Sequence, residues 1–174
     1  MPHQQGEFDG LCGVYSIVNA MKILQYRPDG SQELFNKLIF RLDEDRDLTH
    51  ILVGGFKFNV LNELIERVIC KDEIAKEVPF KGKKAVALGV VWDTMEKFMN
   101  DTNNSLPVII IGLEGMHLHW TVVRRITSKR IYFEDSGKLT YINRKNITAA
   151  EPDVARFHRV VPNEIIFLKN RNAK

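Results

Sequence analysis

The sequence predicts an α+β domain, with helices first and a mainly antiparallel sheet after them. Three observations carry this. Apolar residues recur at helical spacing as far as about Asn100. From Leu106 onward they fall instead into short apolar or alternating runs separated by turns. The third is size: 174 residues, 44% hydrophobic and 27% charged, suffice for one core and leave little room for two. Residues 1–174 are therefore read as a single domain.

The elements follow in order. Leu11 to Gln25 is apolar nearly all round, broken by Ser16, Asn19 and Lys22, which marks a buried central helix. Arg27-Pro28-Asp29-Gly30 ends it with turn chemistry. Ser31 caps a second helix to about Leu42, with Leu34, Phe35, Leu38 and Ile39 at helical spacing. A third helix is expected from about Asn59 to Ala75, and a fourth from about Trp92 to Asn100, where the polar loop 100–105 stops it. Leu106 to Leu113 reads as a buried strand. Leu118 to Ile126 and Lys129 to Asp135 read as a hairpin turning at Thr127-Ser128. Leu139 to Asn143 and Glu164 to Leu168 complete the strand candidates.

Composition excludes several classes. Two cysteines cannot build a disulfide framework, and the N-terminus has neither the basic start nor the apolar stretch of a signal peptide. The longest apolar run, Leu106 to Leu113, is too short to cross a bilayer. A cytoplasmic protein without membrane partners is expected. The net charge of +3 is uneven: residues 121–174 hold 12 Lys/Arg against 5 Asp/Glu, and residues 1–120 hold 13 against 17. No aromatic-interleaved basic motif accompanies that charge, so solvated strand edges are expected and nucleic acid is not.

Chemistry concentrates at two places. In Phe8-Asp9-Gly10-Leu11-Cys12-Gly13, a glycine-containing loop delivers a cysteine into the first turn of the central helix. The unpaired N–H groups and positive dipole end there favour a thiolate, and cysteines so placed have pKa values lowered to roughly 3.5–7.5. Cys12, Ser16 and Asn19 share one polar stripe, expected to form a cleft wall. The second place is His117-Leu118-His119-Trp120, followed by Phe133-Glu134-Asp135-Ser136. Folding the hairpin at Ser128 brings His119 and Asp135 within about one residue of direct opposition. A carboxylate there fixes the imidazole tautomer and leaves the other ring nitrogen for a thiolate.

The ordered set of Cys12, His119 and Asp135 resembles papain-like cysteine peptidases, most nearly the compact bacterial peptidases that cleave bacteriocin leader peptides. The resemblance implies a papain-like fold, with a Cys-bearing central helix in an N-terminal lobe packed on a C-terminal sheet. It implies thiol-peptidase activity on a protein or peptide, with no cofactor. It also implies an oxyanion-hole glutamine about six positions before the cysteine. Gly6 stands there, so Gln5 meets the role with one extra residue in the loop, and Gln4 lies one further.

Other readings of these residues remain. The same triad serves a glutamine deamidase or an acyl transferase. A non-catalytic binding module would use the basic C-terminal third. His117 and His119 start a zinc-like pair but lack partner motifs, which leaves His117 for the cleft wall. Asp43-Glu44-Asp45-Arg46-Asp47 imitates an EF-hand loop, but Leu48 and Gly54 stand where glycine and the closing glutamate are needed. Cys70 adjoins neither a helix start nor a histidine motif, so it is expected to be structural.

Overall fold

The computed structural model describes residues 1–6, 9–26, 30–45, 48–69, 73–83, 85–101 and 106–171. Cys70, the turn at 27–29 and the loop 102–105 lie outside them. The apolar helix of the sequence is α1, Cys12–Ile23, with Val14, Ile17, Val18 and Met21 buried. Helix α2, Ser31–Asp45, lies against it through Leu38 and Leu42. The short helices α3, Leu48–Gly54, and α4, Phe58–Leu64, follow, and a π turn at Ile65–Ile69 extends α4. Helix α5 spans Leu88–Asn100.

The strands are β1 (Ile74–Glu77), β2 (Leu106–Gly115), β3 (His119–Ile126), β4 (Arg130–Glu134), β5 (Tyr141–Asn143), β6 (Ile147–Thr148) and β7 (His158–Asn170). They form one sheet in the order β1-β7-β2-β3-β4-β5, antiparallel throughout, with β6 pairing parallel to β7. The α+β class is as the sequence predicts.

Two differences from expectation fall in the helical half. The third helix does not run to Ala75, because Ile74–Glu77 leaves it to pair with Phe167–Asn170 of β7. That partner lies at the far end of the chain, where local periodicity has no view of it. Helix α3 was not anticipated either: of its residues only Ile51 is buried, too little to leave a pattern.

Both faces of the sheet are covered. Strand β2 sends Val108 and Ile110 into a core shared with α1–α4, and Ile109 and Ile111 into a second core with Val91, Trp92 and Met95 of α5. Side chains alternate across a strand, so a strand between two cores must be apolar throughout. The helices therefore do not form one lobe on one face, since α5 packs on the opposite side from α1. No helix is long and apolar enough to cross a membrane among the described residues.

Candidate active site

Cys12 is the first residue of α1, and close approaches on either side hold it there. Gly10 donates its N–H to the Leu52 carbonyl at 2.7 Å, and a Cβ on Gly10 would lie 2.6 Å from the Ile51 and Leu52 carbonyl oxygens. A Cβ on Gly13 would lie 2.8 Å from Cγ of Phe56. Only glycine lets the loop and the head of α1 sit this close to α3 and the segment after it. Asp9 tightens the loop further, its carboxylate accepting from the N–H groups of Gly6 (2.9 Å) and Leu11 (3.1 Å). The thiol of Cys12 is free, and the residue is 7% exposed.

His119 opens β3, and its Nε2 lies 2.6 Å from Oδ1 of Asp135, just past the end of β4. Their meeting depends on a bulge. Near the turn, Ile126 pairs with Ile131 and Arg125 with Tyr132; beyond Arg124 the pairs become Val123 with Phe133 and Val122 with Glu134. Without that extra residue the ladder would put Asp135 and His119 on opposite faces. With it, Thr121 falls opposite Asp135 and His119 opposite Gly137, whose Cβ would lie 3.7 Å from the His119 Nε2. The two residues are thus diagonal neighbours on one face rather than near-direct partners, and their side chains span the diagonal.

The dyad is closely held. Asp135 is buried, and its Oδ2 accepts from the N–H groups of Gly137 (2.7 Å) and Leu139 (2.9 Å). Burial works against its charge, but the contacts with His119 and then Thr121 outweigh it and hold the carboxyl below its ordinary range. For His119, burial opposes the proton. The Asp135 hydrogen bond and then the neighbouring Cys12 side chain win, raising the imidazole to about 9. With Nε2 on Asp135, Nδ1 is the nitrogen left for the thiol. Cys12, His119 and Asp135 are therefore brought together.

Gln5 is placed differently. Its amide nitrogen donates to the Asp9 carbonyl, its side-chain oxygen accepts from Ser136 Oγ at 3.4 Å, and its N–H donates to the Ser136 carbonyl at 3.1 Å. Gln4 donates to the Asp135 carbonyl at 3.4 Å. Both glutamines tie the N-terminal segment to the residues around Asp135. Gln5 is not part of the cleft lining. The stripe below Cys12 is not a cleft wall either, since Ser16 and Asn19 are buried. Asn19 accepts from the His3 N–H (2.8 Å) and donates to the His3 carbonyl (3.2 Å), clamping that segment. His117 leaves the expected cleft position and stacks on His158, ring centroids 5.3 Å apart. Among the described residues no three His, Cys, Asp or Glu side chains converge as a metal ion requires.

Cys12 and His119 line a cleft of about 580 Å³. Trp120 builds one wall: its indole N–H donates to the Phe56 carbonyl at 2.9 Å, and its ring stacks on Phe58 at 6.3 Å. Glu114 and Glu164 line the same cleft. Glu164 comes from an irregularity in β7, where the pairing jumps from Ile165 opposite Ile111 to Val160 opposite Leu113. The intervening Val161–Glu164 stretch includes Pro162, which has no N–H for the ladder. The Glu164 side chain lies over Gly112, where a Cβ would be 2.3 Å from its Oε2. Sequence reasoning missed both glutamates. Pro162 was the one available signal that the strand breaks its pairing there.

The chain matches no protein-family model and no curated protein sequence.

Proposed function

We propose that the protein is a papain-like cysteine hydrolase that cleaves a peptide or isopeptide bond. One observation carries the proposal: a single imidazole sits between a buried carboxylate and a thiol at the head of a buried helix, in the wall of a cleft. A histidine that keeps its proton to about pH 9 beside a sulfur suits an imidazolium–thiolate pair.

The thiolate of Cys12 attacks the carbonyl carbon, forming a C–S bond and moving the π electrons onto oxygen. The backbone N–H of Cys12, at the positive end of α1, would donate to that oxyanion. Gln5 is the proposed second donor, and its amide would have to leave the Asp9 carbonyl to serve. Collapse of the intermediate expels the amine, which takes the proton of His119. Water then attacks the thioester as His119 removes its proton, and the acid departs with Cys12 restored.

Mass spectrometry of candidate peptides and proteins, incubated with wild type and with Cys12→Ala, tests the proposal. Cleavage by wild type alone is expected. A one-dalton gain at glutamine would assign the same triad to deamidation, and a cross-link would assign it to acyl transfer. Products that persist with Cys12→Ala would overturn the hydrolase reading.

A further inference from the structure

A second cavity, of about 550 Å³, lies at the other end of the β3–β4 hairpin. Strand β3 carries eight residues from His119 to Ile126, so about 25 Å of strand separates the hairpin turn from the catalytic histidine. Five cations line this cavity: Lys129, Arg130, Arg144, Lys145 and Arg156. No carboxylate lines it among the described residues. Five of the twelve cations of residues 121–174, expected to spread over strand edges, are gathered here in a concave surface.

Two of the arginines are positioned without a carboxylate. The Arg144 guanidinium lies 4.9 Å from the Trp92 ring centroid, and the Trp92 indole N–H is itself tied to the Thr127 carbonyl at 2.9 Å. Arg130 donates through Nε to Asn143 Oδ1 at 2.9 Å and lies 4.7 Å from the Tyr141 centroid. A backbone bond from Arg144 N–H to the Lys129 carbonyl, 2.8 Å, joins the hairpin turn to the Arg144–Asn146 3-10 turn. The two walls are therefore fixed relative to each other. Lys129 and Lys145 have no ion pair among the described residues, whereas Asp153 bears on Arg156. Leu88, the first residue of α5, supplies apolar lining.

Like charges are costly to hold together, and stacked guanidinium groups already ordered suit an anion with several oxygens. The volume lies within the range of small-molecule sites, and the apolar lining offers a place for a ring that inorganic phosphate lacks. We propose that this cavity binds a nucleotide through its contiguous phosphates. The proposal is independent of the hydrolase reading, because none of its residues belongs to the cleft.

Isothermal titration with ADP, inorganic pyrophosphate and a single-stranded oligothymidylate at one fixed salt concentration tests it. ADP should bind at one site and more tightly than pyrophosphate. Lys129→Gln combined with Lys145→Gln should weaken ADP by about tenfold or more. Leu88→Trp, which fills the cavity, should weaken ADP with all five cations in place. Lys83→Gln, outside the cavity, and Cys12→Ala should leave ADP binding unchanged. No ADP binding, or equal loss in Lys83→Gln, would overturn the proposal. Pyrophosphate binding as tightly as ADP would overturn the nucleotide in favour of phosphate alone. Tighter, lysine-dependent binding of the oligonucleotide would give the groove to a nucleic-acid backbone.

Discussion

The imidazole of His119 is where opposing forces meet at the scale of single residues. Burial favours the neutral ring, and the Asp135 carboxylate and Cys12 favour the cation, whose pKa rises to about 9. A raised folded-state pKa means that the stabilisation is complete below the unfolded value near 6.5 and is lost as pH rises through about 9. Nitrogen-15 NMR should therefore find the His119 midpoint near 9. In Asp135→Asn it should fall by more than a unit, because burial remains and the carboxylate charge is gone. The same variant should keep the fold and lose on the order of 10²–10⁴-fold in activity through the wrong tautomer. Unchanged activity would show that another group orients the ring. Glu164 is raised as well, but there burial works with the shift instead of against it. Burial and then Glu114 push its carboxyl above the ordinary range, with Arg159 pulling the other way. Its stabilising share is complete below about pH 4.3, the unfolded value, and is lost as pH rises through the folded one. Glu164→Gln should thus melt higher than wild type at pH 7 and show little difference at pH 4. A gap of equal size at both pH values would sink this account.

Two elements make the site, and each does so through backbone geometry. The head of α1 depends on Gly10 and Gly13, because carbonyl oxygens and an aromatic ring occupy the space a side chain would take. Gly13→Ala should cost about 1–3 kcal/mol, as overpacking does, since Phe56 must move. Gly10→Ala should cost at least as much, because the obstructing atoms are backbone carbonyls that cannot rotate away. Chemical denaturation of both variants checks this, and a change below about 0.5 kcal/mol in either would refute the packing argument. The hairpin depends on the bulge at Arg124. The residue types of Cys12, His119 and Asp135 were legible in the sequence, together with a turn near Ser128. The parity that puts His119 and Asp135 on one face was not, because an exposed arginine looks the same in a bulge as in a regular strand. Gln5 shows the converse. The resemblance offered it for the oxyanion, and in the fold its amide holds the Asp9 carbonyl.

At the scale of the whole molecule, β7 closes the fold. The last strand in the chain lies between β1 and β2, with Ile165–Asn170 paired to β2 and Phe167–Asn170 paired to β1. Asn170 also donates to the Leu24 carbonyl at 2.8 Å, at the end of α1. A chain ending before Glu164 should lose its cooperative thermal transition by circular dichroism, because β1 and β2 would lose their common partner and both cores one wall. A sharp melt in that truncation would show that the helices and β2–β5 are stable alone. What the sequence determined by itself was local: the apolar α1, the switch from helical to strand patterning at Leu106, and cysteine, histidine and aspartate in a chemically suggestive order. Periodicity and turn chemistry report on neighbours along the chain, and those features need nothing more. Only the tertiary structure decided that β1 joins β7, that α5 covers the opposite face from α1, and that Glu164 enters the cleft. It also decided that five of the basic residues converge on one cavity. Each of these is a contact between distant segments, set by which surfaces remain to be buried once the local elements have formed.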